Sequence, residues 1–158
     1  ELKNIVNEGR RVLRVEAEAL LAASETIDEG FAKAVDVIFS SLKAGGKIVT
    51  SGVGKSGNVA QKVAATLTST GSMAVFLHPT EALHGDLGLL GANDVLLVFS
   101  HSGSSQELLL MLPSAKTLCK GVVAIMGNPN GPIAQHSLAV ISSCISSNFY
   151  FYPYYSNY

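Results

Sequence analysis

From Ile48 onward the sequence alternates short runs that are apolar at every position with longer stretches of helical periodicity. The runs are Ile48-Val49, Met73 to Leu77, Val95 to Phe99, Val122 to Met126 and Leu138 to Ile141. Between them come a helix from Gly57 to Ser69, a short turn or helix near Thr80 to His84, a helix from Ser104 to Leu118 and a short helix from Pro132. A strand with one wet face alternates polar and apolar residues, whereas a run apolar throughout has both faces covered. Strands of that kind alternating with helices predict a parallel sheet sandwiched between helical layers. Upstream, Leu13, Ala17, Leu20 and Ile27 recur at helical spacing, as do Phe31, Val35, Ile38 and Leu42, which predicts two N-terminal helices. Thr26 and Glu29 have capping-box spacing at their junction, and Gly45-Gly46 supplies the stop. The expected organisation is an α/β three-layer sandwich in which helices over 1–45 and a core over 46–145 form one domain. An atypical tail follows over 146–158, where all five tyrosines fall.

Composition narrows the partners. A chain of 158 residues supports one ordinary domain. With 47% apolar residues and a net charge of −1, it fits neither disorder nor non-specific attraction to nucleic acid or an anionic membrane. Apolar runs of about five residues are far short of the roughly twenty needed to cross a bilayer. The first residues do not read as a signal or transit peptide. Cys119 and Cys144 are too few for a disulfide framework, so a reducing, cytoplasmic setting is expected.

In an open parallel sheet, ligands sit beyond the carboxyl ends of the strands, where the strand order reverses. Four loops fall there: Ser51-Gly-Val-Gly-Lys-Ser-Gly57, His78 to Asp86, Ser100-His-Ser-Gly-Ser-Ser-Gln-Glu107 and Gly127-Asn-Pro-Asn-Gly131. They hold most of the chemically versatile side chains, which points to a small-molecule site. The first loop is not a Walker A sequence, because the required upstream glycine position is Val49. Gly52, Gly54 and Gly57 satisfy dinucleotide spacing, but His78-Pro79 stands where an acidic residue is needed. A tight turn at a helix start with Ser51, Lys55 and Ser56 instead suits a single phosphate or a sugar oxyanion. The hydroxyls of the Ser100–Glu107 loop offer a second anion cradle, at a helix start with free N–H groups. Ser104-x-x-Glu107 also has capping-box spacing, so Glu107 reads equally as a cap or as a catalytic carboxylate. Among the histidines, His84 is flanked by Glu81 and Asp86, either of which could fix its tautomer for proton transfer. His78, His84 and Asp86 match no ligand spacing, and no metal is expected.

These loops, together with Lys62-Val-Ala-Ala-Thr-Leu-Thr-Ser-Thr-Gly71 and His78 to Gly88, resemble in order and spacing the sugar isomerase (SIS) domain of arabinose 5-phosphate isomerases, the KpsF/GutQ family. The resemblance runs from about Val12 to Ser142. It implies a five-stranded, flavodoxin-like parallel sheet, no organic cofactor, a homotetramer and a sugar-phosphate ligand. It also implies interconversion of D-ribulose 5-phosphate and D-arabinose 5-phosphate on the way to the acidic sugar Kdo. Carried over by position, the catalytic residues are Lys55, His84 and Glu107. The substrate-binding residues are Ser51, Gly52, Gly54 and Ser56 in the first loop and Ser100, Ser102, Gly103 and Ser105 in the serine loop. On this reading Glu107 moves the carbon-bound proton, His84 shuttles the hydroxyl proton and Lys55 stabilises the enediolate, with the first two roles open to exchange. The sequence departs from the family at His101, where Asn is usual, at Met126 in place of Thr and at Gly131-Pro132 in place of a Ser-Thr pair. After Ser142 the Tyr-rich tail stands where the family continues into a further helix, so a truncated SIS domain is expected. A sugar-phosphate-binding regulatory module without turnover is the alternative.

Overall fold

The structure is a computed structural model that describes residues 2–143. The Tyr-rich tail and Cys144 lie outside the described residues. Within them, residues 2–26 and 27–143 form two compact units. The first is a single helix, α1 (Leu2–Ser24), with no buried residue. Leu2, Ile5, Val6, Leu13, Leu20 and Leu21 are exposed along it, and Glu8 holds Arg11 one turn on through two hydrogen bonds.

In the second unit the elements are α2 (Glu29–Lys43), β1 (Ile48–Gly52), α3 (Gly54–Ser69), β2 (Ala74–Phe76), α4 (Pro79–Leu83), β3 (Val95–Ser100), α5 (Gln106–Leu118), β4 (Gly121–Met126) and β5 (Ala139–Ser142). Two 3-10 turns, Asp86–Leu89 and Pro132–His136, complete it. The five strands form one sheet of order β2-β1-β3-β4-β5, parallel throughout. The three-layer parallel arrangement predicted from the apolar runs is the one observed.

Alternation along the strands divides the core. Ile48, Val95, Leu97, Phe99 and Val123 point to one face, where Ala34 of α2 and Ala60 of α3 cover them. Val49, Leu96, Val98, Val122, Ala124 and Met126 point to the other, against Leu108, Met111, Leu112 and Ala115 of α5 and Ala82 of α4. β1 and β3 are buried at every position, as strands with helices on both faces must be.

The helix starts differ from expectation in instructive ways. Asp28, not Thr26, caps α2, accepting from the Gly30 N–H at 2.8 Å, while the Thr26 hydroxyl turns back to the Ala23 carbonyl. Helix α3 begins at Gly54, three residues before the expected start, because Gly54 takes a left-handed φ of 56° and swings the chain directly out of β1. Lys55 and Ser56 therefore lie in its first turn.

The amino end of the sheet is stapled by Asp94, which is 4% exposed. Its carboxylate accepts from the Lys47 N–H at 2.9 Å, from the Gly91 N–H at 2.7 Å and from the Lys47 ammonium. Burial pushes this carboxyl up, but those hydrogen bonds outweigh it and hold the group below its ordinary value. Alongside, the Ser41 hydroxyl donates to the Asn93 carbonyl at 2.6 Å.

Candidate functional site

Strand order reverses between β1 and β3, since the chain leaves β1 for β2 on one side and returns to β3 on the other. The parallel register sets Gly52 beside Phe99. The glycine turn after β1 and the serine loop after β3 therefore start side by side at the carboxyl edge, each feeding a helix, α3 and α5. This is the crevice in which open α/β sheets hold ligands.

The glycine turn is shaped first by its own packing. A Cβ on Gly52 would lie 2.9 Å from the Ser56 carbonyl, and one on Gly57 would lie 2.8 Å from the Gly52 oxygen. Both glycines let the end of β1 and the first turn of α3 touch. Ser51 is fully buried, and its hydroxyl donates to the Leu77 carbonyl at 2.7 Å. Its hydroxyl proton thus ties β1 to the end of β2 rather than pointing outward as a ligand donor. Lys55 is exposed and Ser56 half-buried.

The serine loop is internally wired. The Ser100 hydroxyl meets that of Ser105 at 2.8 Å and accepts from the Gly103 N–H at 3.2 Å. Ser102 accepts from both the N–H and the hydroxyl of Ser104. Ser105 is the residue before α5, and its side chain makes no cap bond. The Ser104–Glu107 capping box is therefore not formed: the cap position falls one residue later, and its hydroxyl is engaged by Ser100. Glu107 stands half-buried in the first turn of α5. Gly103, at φ 68°, is pressed against the Gly127–Gly131 loop, where a Cβ would come within 2.7 Å of the Asn128 carbonyl. That loop clamps the serine loop from outside, with Ile133 N–H donating to the Gly103 carbonyl at 3.0 Å.

His78 precedes α4, its Nδ1 accepting from the Thr80 N–H at 3.3 Å and its ring set edge-on to Phe76. His84 closes α4 and is exposed. Among the described residues no three His, Cys, Asp or Glu side chains gather to hold a metal, and no helix is long and apolar enough to cross a membrane.

An open cleft of about 210 Å³ lies along the α3 face of this edge, lined by Ser56, Val59, Phe99, Ser100, His101, Ile125 and Ser143. Ser56 and Ser100 are the predicted site residues that line it. Lys55 and Glu107 stand at the two helix starts, and His84 lies with α4 against α5 on the opposite face. Val59, Phe99, Ile125 and Ser143 were not read as site residues. Two-residue alternation along the strands turns Phe99 and Ile125 to the α3 face, while no such pattern marks Val59 or Ser143.

A profile of the SIS domain matches residues 41–156. The chain belongs to the SIS domain family. This SIS domain is 39% identical over 137 residues to arabinose 5-phosphate isomerase GutQ of Salmonella typhi, an overlap of 87% of the present chain and 42% of that protein. The chain thus spans about two fifths of the curated relatives it matches. Among solved structures it resembles a putative phosphosugar isomerase involved in capsule formation from Bacteroides fragilis. That match has a TM-score of 0.81 at 38% identity, over 88% of this chain and 73% of the other. It also resembles the c3406 protein of Escherichia coli CFT073, solved in complex with arabinose 5-phosphate, with a TM-score of 0.80 at 32% identity over 96% and 79% of the two chains.

Proposed function

We propose that this SIS domain binds a pentose phosphate at the carboxyl ends of β1 and β3 and interconverts D-ribulose 5-phosphate and D-arabinose 5-phosphate. The observation that carries the reading is the adjacency of the Lys55 turn and the hydroxyl-rich loop at the sheet's switch point, in a chain whose relatives include arabinose 5-phosphate isomerases. The serine loop, with Ser100, Ser102, Gly103 and Ser105, and the glycine turn take the phosphate, using hydroxyl donors and the N–H groups that begin α5 and α3.

The chemistry then asks little of the protein beyond placed proton carriers. A base, assigned to Glu107, removes the C1 proton of the ketose, leaving a 1,2-enediolate whose negative charge Lys55 stabilises. The same proton carrier returns a proton to C2, while His84, which lies on the opposite face of its own sheet and would reach the sugar from a neighbouring subunit of the proposed homotetramer, moves the hydroxyl proton between O1 and O2, and the C1 aldehyde forms. No redox equivalent enters or leaves. The product would feed synthesis of the acidic sugar Kdo, in the cytoplasm. A homotetramer completes the proposal, supported by the unburied apolar residues of α1.

Incubating the purified chain with ribulose 5-phosphate and following arabinose 5-phosphate by chromatography tests the reading. Product supports it. A ligand-induced rise in melting temperature without product points to a regulatory binding module, and the absence of both signals overturns the sugar-phosphate assignment.

A further inference from the structure

The last paired residues of β3 and β4 are Ser100 and Met126, and both chains bend at the next residue, His101 and Gly127. The Asn128 N–H donates to the His101 carbonyl at 3.0 Å, which ties the residue after β3 to the loop after β4. His101 lines the same cleft as Phe99 and Ile125. A Cβ on Gly127 would fall 2.5 Å from His101 Nδ1, 2.8 Å from its Cε1 and 2.7 Å from its backbone carbonyl oxygen. The missing side chain at 127 is therefore the seat on which the imidazole rests.

His101 lines the cleft together with Ser56, Ser100 and Ser143 and with the apolar Phe99 and Ile125. Apolar side chains mixed with hydrogen-bonding ones suit a short polyol, whose C–H edges pack on carbon while its hydroxyls meet polar groups. The cleft, at about 210 Å³, is below the roughly 300 to 1,000 Å³ of sites for drug-sized ligands, and so fits a chain of few carbons. We propose that His101 is a specificity-determining residue that hydrogen-bonds a sugar hydroxyl, and so distinguishes a phosphosugar from phosphate alone. This rests on the sugar-phosphate reading above, and the controls separate the two.

The test is calorimetric titration of the wild-type chain, His101→Ala and Gly127→Ala with inorganic phosphate and with arabinose 5-phosphate, alongside a thermal melt of each protein. The expected result is a fivefold to tenfold weaker affinity of His101→Ala for arabinose 5-phosphate, about the net worth of one hydrogen bond, with phosphate affinity unchanged. Gly127→Ala, which displaces the ring and crowds the His101 carbonyl, should weaken arabinose 5-phosphate binding at least as much. Should Gly127→Ala fail to fold, His101→Ala alone decides, because residue 101 is exposed and its truncation leaves the core intact. Unchanged affinity for arabinose 5-phosphate in His101→Ala overturns this inference only, as does an equal loss for both ligands, which would make His101 a general anion contact. Failure of the wild-type chain to bind either ligand overturns the sugar-phosphate reading and this inference with it.

Discussion

Lys55 and Gly52 sit three residues apart in one turn, and the structure gives them opposite characters. Lys55 is exposed in the first turn of α3, outside the core, so Lys55→Met should leave the melting temperature within about a degree. On the proposed mechanism it should lower turnover by about 10²–10³-fold, the usual scale for removing one electrostatic stabiliser of a transition state; a sugar-phosphate assay paired with a thermal melt checks both halves. Gly52→Ala should do the reverse first, destabilising the fold by about 1–3 kcal/mol through overpacking, because its Cβ would press on the Ser56 backbone. Denaturant midpoints measure that loss. The spacing of Gly52, Gly54 and Gly57 was legible as a turn at a helix start. That two of the three glycines serve contact between β1 and α3 was not, since spacing alone does not reveal which atom approaches a missing Cβ. Ser51 is a similar case. A serine at a strand end looks like a ligand donor until its fully buried hydroxyl is found on Leu77.

At the scale of elements, local patterns identified the helices and strands well and their caps poorly. Apolar periodicity is spread over many residues and tolerates noise, whereas a cap depends on one side chain. Thr26 and Asp28 are both good capping types, and the backbone path, rather than composition, gave the role to Asp28. Asp94 was invisible for a related reason: besides the local turn to Gly91, its partner Lys47 lies 47 residues away and is set by tertiary structure, which no sequence pattern marks. Its effect on stability has a definite sign. The carboxyl is held below the ordinary value of 3.8, so ionised Asp94 favours the folded state above about pH 4, and that contribution is lost as pH falls through the lower folded value. Acid unfolding followed by circular dichroism should therefore show a transition that moves to higher pH in Lys47→Met, which removes one of the groups depressing the carboxyl. Asp94→Ala, which leaves two backbone N–H groups without their acceptor, should cost about 2–4 kcal/mol at neutral pH.

For the whole molecule, the parallel sheet and its covered faces followed from the apolar runs, and the strand order followed from family resemblance rather than from any pattern in the runs themselves. The carboxyl-edge loops were correctly gathered at one end, but the cleft draws part of its lining from strand and helix residues such as Val59 and Phe99, which read as core. Assembly belongs to this scale too. α1 buries none of its apolar residues, and in the proposed tetramer they are covered. Leu13→Glu with Leu20→Glu should therefore move the species seen by analytical ultracentrifugation toward the monomer, while an unchanged sedimentation coefficient would remove α1 from the interface. The sheet also divides labour along its length: Asp94 and Ser41 fasten the amino edge, leaving the carboxyl edge to chemistry. At that edge α3 and α5 begin side by side in a chain whose net charge is −1. The attraction of two helix starts for an anion fades within about one turn, too short a reach to guide a ligand in from bulk water. On the proposed function a phosphorylated sugar should arrive by unsteered diffusion, so the selectivity of the cleft would be expressed in how long a captured molecule stays, and hardly at all in how quickly it comes.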